Sequence, residues 1–166
     1  LAKRLIEKGV WIDLAHTSDV TQNDLIDILE QNKLPLLHTH TLLRQNYPAE
    51  RGISTKHLKR VKESGGFIGL IPSEDMLSYV KTEKKHCPDS CHGTCDGGIP
   101  AFATQYELAV STLGPKSVAL STDMNAPMQF MKPLCEHSPE SKGFWNYAQI
   151  PEIWTALKQY NAPVPE

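Results

Sequence analysis

Four short apolar runs, at residues 10–15, 35–39, 67–71 and 117–121, alternate along the chain with stretches of helical periodicity. A brief apolar run without polar alternation suits a strand buried on both faces. Such strands joined by helices build a parallel sheet with helical crossovers. The alternation therefore leaves two architectures, an open doubly wound sheet or part of an eight-stranded barrel. No glycine-rich phosphate loop follows the first run. The expected fold is α/β: four parallel strand–helix units forming half of a TIM-like (β/α)8 barrel, in a single domain over residues 1–166.

The punctuation supports that division. Residues 1–8 have helical spacing and Gly9 fits a C-terminal cap. Thr17 or Ser18 caps a helix to about Asn32, and Ser54 caps another through Lys62 that Gly65-Gly66 ends. Pro100 opens a helix stopped by Gly114-Pro115, and residues 150–160 form a closing helix. Residues 73–99 read as an irregular, cysteine-rich insertion. His57, set between Lys56 and Lys59-Arg60, reads as an exposed surface residue. A net charge of −2 without a basic run excludes a nucleic-acid footprint, and no apolar stretch is long enough to span a membrane. The chain opens at Leu1, inside a helical stretch and without a methionine, so its true start is expected elsewhere.

Three of the four runs end in a potential metal ligand: the first in His16, the second in His38-Thr39-His40 and the last in Asp123. Adjacent parallel strands deliver their C-terminal residues to one edge of the sheet, where imidazoles and a carboxylate can converge on one ion. Period-two alternation puts His38 and His40 on the same side, so either fits as the ligand. A carboxylate beside a metal-activated water can take the water's proton, and an arginine fork can grip a substrate carboxylate in two places.

The ordered set Asp13-Leu14-Ala15-His16, Pro35 through Thr39-His40, Arg51-Gly52 and Ser121-Thr122-Asp123-Met124-Asn125 resembles the membrane (renal-type) dipeptidase family. The resemblance runs over almost the whole chain, with residues 143–157 matching in outline. It implies a zinc-dependent, amidohydrolase-like TIM barrel that hydrolyses dipeptides, with two zinc ions in the intact parent, and makes this chain the C-terminal half of the barrel. By position, it implies that His16 and His40 are zinc ligands, His40 by its place five residues after Pro35. Arg51 falls where the family binds the substrate's carboxylate, although Arg44 is a close rival. Asp123 falls at the catalytic aspartate. His38 is then a neighbour of the ligands or a core residue. The family reads Asp-Phe-Asp-Gly where this chain has Asp123-Met124-Asn125-Ala126, and its remaining metal ligands belong to the other half of the barrel. The chain alone is therefore expected to be a poor enzyme, needing a missing N-terminal half or self-association to complete the site.

Cys87, Cys91 and Cys95 are spaced four apart between His86 and His92, and Cys135 makes the count even. Two disulfides or a structural zinc would each order this stretch. Disulfides are the favoured expectation and imply a periplasmic or extracellular setting. Two other functions compete with the dipeptidase: a non-catalytic barrel-type binding protein, and an amidohydrolase acting on a cyclic amide or ester.

Overall fold

The computed structural model describes residues 1–87, 96–123, 131, 147–160 and 162–164. Among these, three parallel strands form one sheet in the order β1 (Leu37–Thr41), β2 (Phe67–Leu70) and β3 (Val118–Leu120). The register pairs Leu37 with Phe67, His38 with Ile68, and then Thr41 with Leu70. Three steps along β1 thus match two along β2, an irregularity that falls at Thr39 and His40. On the other side, Ile68, Gly69 and Leu70 face Val118, Ala119 and Leu120.

The helices are α1 (Ala2–Glu7), α2 (Asp19–Gln31), α3 (Thr55–Glu63), α4 (Glu74–Leu77), α5 (Gly98–Leu113) and α6 (Ile150–Gln159). The hydroxyls of Ser18 and Ser54 accept from the Thr21 and His57 amides and so begin α2 and α3. Gly9, Gly65 and Gly114 take positive φ angles that end or follow helices. Leu36, Ile68, Leu70 and Ile71 are fully buried beside Ile26, Val61, Phe102 and Ala109. α5 is apolar for most of its length and forms the centre of this core, and Tyr106 meets Trp154 of α6 edge-on at 5.6 Å.

Four sequence expectations change. Residues 10–15 do not make a full strand: Asp13 forms a single parallel bridge to Leu37, and the Leu14 amide donates to the Leu37 carbonyl at 2.9 Å. The segment occupies the sheet edge beside β1, but Val10 and Trp11 are exposed. The Asp13 carboxylate, not a backbone carbonyl, takes the Thr39 amide at 3.0 Å. Second, β1 begins and ends two residues later than expected, so His40 lies inside the strand and not beyond it. Third, the first half of the supposed irregular insertion is packed. α4 lies within it, Leu77 and Val80 are fully buried, and the buried Glu74 carboxylate accepts from the Gly98 amide at 3.0 Å. Fourth, His57 is buried, its Nε2 3.1 Å from the Asn23 side-chain oxygen on α2.

Gly69 sets the spacing of the sheet. A Cβ there would collide with the Thr39 carbonyl and stand 2.7 Å from the Ser121 Cβ. Gly69→Ala is therefore expected to cost about 1–3 kcal/mol through overpacking, read as a lower urea midpoint at unchanged slope. Burial, reinforced by the charges of Lys56, Arg44 and Arg60 and opposed by Asp19, holds the His57 imidazole below its ordinary value. The unfolded chain then binds the extra proton first as the medium acidifies. Stability contributed by neutral His57 is complete above about pH 6.5 and declines as pH falls toward its lowered folded value. His57→Gln should flatten this part of the profile in urea titrations between pH 7 and 5. An unchanged slope would assign the dependence to other groups.

Candidate metal centre

His16 and His40 stand 24 residues apart in sequence, yet their Nε2 atoms are 2.6 Å apart and their ring centroids 4.6 Å apart, with the planes tilted by 55°. Two bare nitrogen lone pairs repel at this distance, so the contact requires a proton between them. His16 reaches this point because its backbone is left-handed, with φ of 60°. Asp123, after β3, is also left-handed with φ of 48°, and Lys33 is the one other described non-glycine residue with positive φ. Such a conformation is costly for a side-chain-bearing residue and concentrates at working sites. Neither backbone angle is readable from the sequence.

Charge assembles the rest of the site around His16. Its imidazole is held below the ordinary value by desolvation first and then by the positive charge of Arg51, while Asp123 and Asp13 pull the other way. These three residues come from separate segments. Among the described residues, however, no carboxylate joins the two imidazoles in a three-ligand cluster. His38, by contrast, is fully buried, and among the described residues neither of its ring nitrogens has a hydrogen-bond partner. Burial outweighs the opposing pull of Asp13 and pushes its imidazole down to about 4, so it stays neutral. His40 meets His16 and His38 does not. The irregular register between His38 and Thr41 breaks the simple alternation that made the two equivalent.

The two candidate arginines have different surroundings. Arg44 donates from both terminal nitrogens to Asp19, at 2.7 and 2.8 Å, and also holds the Glu50 and Gly52 carbonyls on either side of Arg51. The buried Gln105 side chain grips the Leu43 amide and carbonyl at 2.7 and 3.3 Å, fixing the other end of the same loop. Arg44 is thus engaged in the frame of the loop. Arg51 is exposed, and its guanidinium makes no ion pair among the described residues.

A family model, "Membrane dipeptidase (Peptidase family M19)", matches residues 2–140. The chain belongs to the membrane dipeptidase family. A stretch of 70 residues is 31% identical to dipeptidase ataJ of Aspergillus terreus, covering 42% of this chain and 16% of that enzyme. The fold is similar to a metallopeptidase of Rhodobacter sphaeroides bound to a phosphinate mimic of the dipeptide L-Ala-D-Ala. That likeness has a TM-score of 0.72 at 17% identity and covers 99% of this chain and 40% of the other. It is also similar to dipeptidase AC, with a TM-score of 0.68 at 16% identity and the same coverage. The chain therefore spans less than half of the length of these relatives.

Membership of the membrane dipeptidase family implies a metal, and the donor set at His16 and His40 fits one. Both nitrogens are imidazole donors brought side by side, and the lowered proton affinity of His16 favours the neutral form that a metal ligand needs. A second cluster, Glu83, His86 and Glu107, also has ligand-type atoms close together. There Lys85 already supplies the cation, 2.7 Å from Glu107 and 3.1 Å from Glu83. His86 donates from Nδ1 to the Tyr160 carbonyl at 2.6 Å and meets Glu107 at 2.7 Å. This cluster ties the 84–86 turn to α5 and to the end of α6. Cys87, which follows, is disulfide-bonded, while Cys91, Cys95, Cys135, Met124 and Asn125 lie outside the described residues.

Proposed function

We propose that this chain carries the metal-binding C-terminal half of a dipeptidase that hydrolyses the amide of a short peptide ending in a free carboxylate. The observation that carries this reading is the convergence of the His16 and His40 Nε2 atoms to 2.6 Å at one edge of the sheet. These two imidazoles would hold a zinc-type ion. When bound, such an ion lowers the pKa of water toward 7 and polarises the amide carbonyl.

The chain's own groups complete the chemistry. Asp123 lies close enough to His16 to act on its charge without entering a three-ligand cluster, a placement that suits a proton acceptor. It takes the proton of the attacking water and returns it to the leaving amine. Arg51, which makes no ion pair among the described residues, lies within electrostatic reach of His16 and would orient the substrate through its terminal carboxylate. The backbone around it is held by Arg44, so the fork starts from a fixed base.

Two imidazoles leave coordination positions to be filled. The exposed edge at Val10 and Trp11 adjoins a recess of about 190 Å³ lined by Ile6, Ile12, Leu29 and Leu34. Both features support the larger reading of four strand–helix units completed to a closed barrel by further strands. These would come from a preceding half or from a second copy of the chain, and they would bring further ligands and a second zinc. The disulfide at Cys87 supports an oxidising compartment, periplasmic or extracellular.

In the completed enzyme, Asp123→Asn should reduce kcat by a factor on the order of 10²–10⁴ with zinc content unchanged, measured on a dipeptide panel with parallel metal analysis. Turnover equal to the parent's would remove Asp123 from the mechanism. Arg51→Met should act mainly on KM for dipeptides, raising it by about tenfold or more for loss of a charge-assisted bidentate contact. It should leave a C-terminally amidated dipeptide unaffected. Equal losses on both substrates would deny Arg51 the carboxylate-binding role.

A further inference from the structure

We propose that Asp13 and Thr39 form a hydrogen-bond relay that fixes His40 as its Nδ1–H tautomer and so leaves Nε2 bare for the metal. The inference rests on the reading of His40 as a ligand and goes beyond it, because it assigns positioning roles to two residues that touch neither metal nor substrate.

The assignment follows from counting protons. Asp13 Oδ1 accepts two backbone N–H groups, from Ala15 and Thr39, each at 3.0 Å. Asp13 Oδ2 is in close contact with Thr39 Oγ1. A carboxylate in its ionised form only accepts, so the single hydroxyl proton of Thr39 must point at Asp13. Desolvation would raise the Asp13 pKa, but the Thr39 hydroxyl and the Ala15 and Thr39 amides outweigh it and hold the group below its ordinary value.

With its proton committed, Thr39 Oγ1 has only lone pairs to offer. His40 Nδ1 lies 3.0 Å from that oxygen and must therefore be the protonated nitrogen. A neutral imidazole carries one proton, so His40 Nε2 is bare, and it is the atom that meets His16 at 2.6 Å. In the metal-free protein, the proton in that contact then belongs to His16 Nε2. Among the described residues, His16 has no other ring hydrogen bond to fix its tautomer. It can move its proton to Nδ1 when a metal arrives, whereas His40 keeps the same form throughout. Outer partners that hold a ligand imidazole in one tautomer are worth about 10–100-fold in metal affinity.

Asp13→Asn tests the relay with almost no change of shape. The two amides at Oδ1 keep the side-chain oxygen there, which turns the new NH2 toward Thr39 Oγ1. Thr39 then receives a donor and its own proton swings to His40 Nδ1, forcing the histidine proton onto Nε2. The experiment is long-range 15N–1H correlation of the histidine rings in the intact metal-free protein, with zinc affinity from chelator competition. The parent and Thr39→Ser should show His40 as Nδ1–H. Asp13→Asn should shift His40 to Nε2–H, Thr39→Val should lose the fixed preference, and both should bind zinc about 10–100-fold more weakly.

An Nε2–H signal for His40 in the parent, or an unchanged tautomer in both Asp13→Asn and Thr39→Val, overturns the relay. Should Asp13→Asn not fold, the Thr39→Val and Thr39→Ser pair decides alone: the relay stands if only valine releases the tautomer and falls if the two behave alike. Tautomers that follow this pattern in a protein that binds no zinc would uphold the relay and refute the metal reading. Tight zinc binding with unresponsive tautomers would do the reverse.

Discussion

One carboxylate does much of the joining that a fourth strand would otherwise do. Asp13 reaches across from the edge segment and takes the amide and hydroxyl of Thr39, while its own backbone contributes only one bridge to the sheet. The side chain thereby replaces part of a backbone ladder. It also couples two neighbouring segments at the position where one carries His16 and the other His40. A carboxylate with several donors is strongly held in its ionised form, so the junction also carries a fixed negative charge beside two imidazoles. Leu14 anchors the edge segment in the core while Val10 and Trp11 stay exposed, so this polar junction acts together with one buried side chain.

Beyond that junction, the site depends on backbone that is held in place without being regular. His16 and Asp123 both sit in the left-handed region, which persists only where the surroundings fix it. The loop that carries Arg51 is clamped by Arg44 on one side and by Gln105 at the Leu43 amide and carbonyl. Gln105 is fully buried and uses both ends of its amide on one residue, which satisfies two backbone groups that packing alone would leave costly. His16 follows the sheet-edge segment and Asp123 follows β3, each with a positive φ. A parallel sheet thus supplies the placement, while local strain supplies the aim.

Much of this was legible in the chain because it depends on local chemistry. Ser18 and Ser54 announce α2 and α3 through their hydroxyls, and Gly65-Gly66 and Gly114-Pro115 mark where helices cannot continue. The apolar runs at 35–39, 67–71 and 117–121 locate three strands to within about two residues. The failures share a different cause. Whether residues 10–15 form a ladder depends on which groups compete for the Thr39 amide, and composition does not show that Asp13 wins. The period-two argument for His38 and His40 is weakened because one extra residue enters β1 between His38 and Thr41, a property of pairing with β2. His57 reads as solvated among lysines because its helix neighbours are charged, yet Asn23 on α2 covers it. Asp13 and Thr39 were visible in the motif flanking each histidine. Their significance is directional, since it lies in which atom holds each proton, and only the juxtaposition of the two segments reveals it.

The difference between the two arginines bears on what the site can accept. A guanidinium close to His16 lowers that imidazole's proton affinity, and a metal ion at the same point would add further positive charge. Arg44 meets no such conflict because Asp19 neutralises it in a two-point contact. Arg51 has no matching anion among the described residues. Holding an unmatched cation beside a cationic centre is unfavourable by Coulomb repulsion, and the loop clamped by Arg44 nonetheless keeps it there. The arrangement becomes favourable when an incoming ligand brings a negative charge of its own. A peptide with a free terminal carboxylate does so, whereas a neutral cyclic amide or ester leaves the repulsion in place. On the role proposed for Arg51, its charge therefore suits a dipeptide better than a neutral cyclic substrate. It also weighs against a binding protein that has lost its chemistry, since such a protein would gain by discarding both the unmatched arginine and the strained histidine beside it.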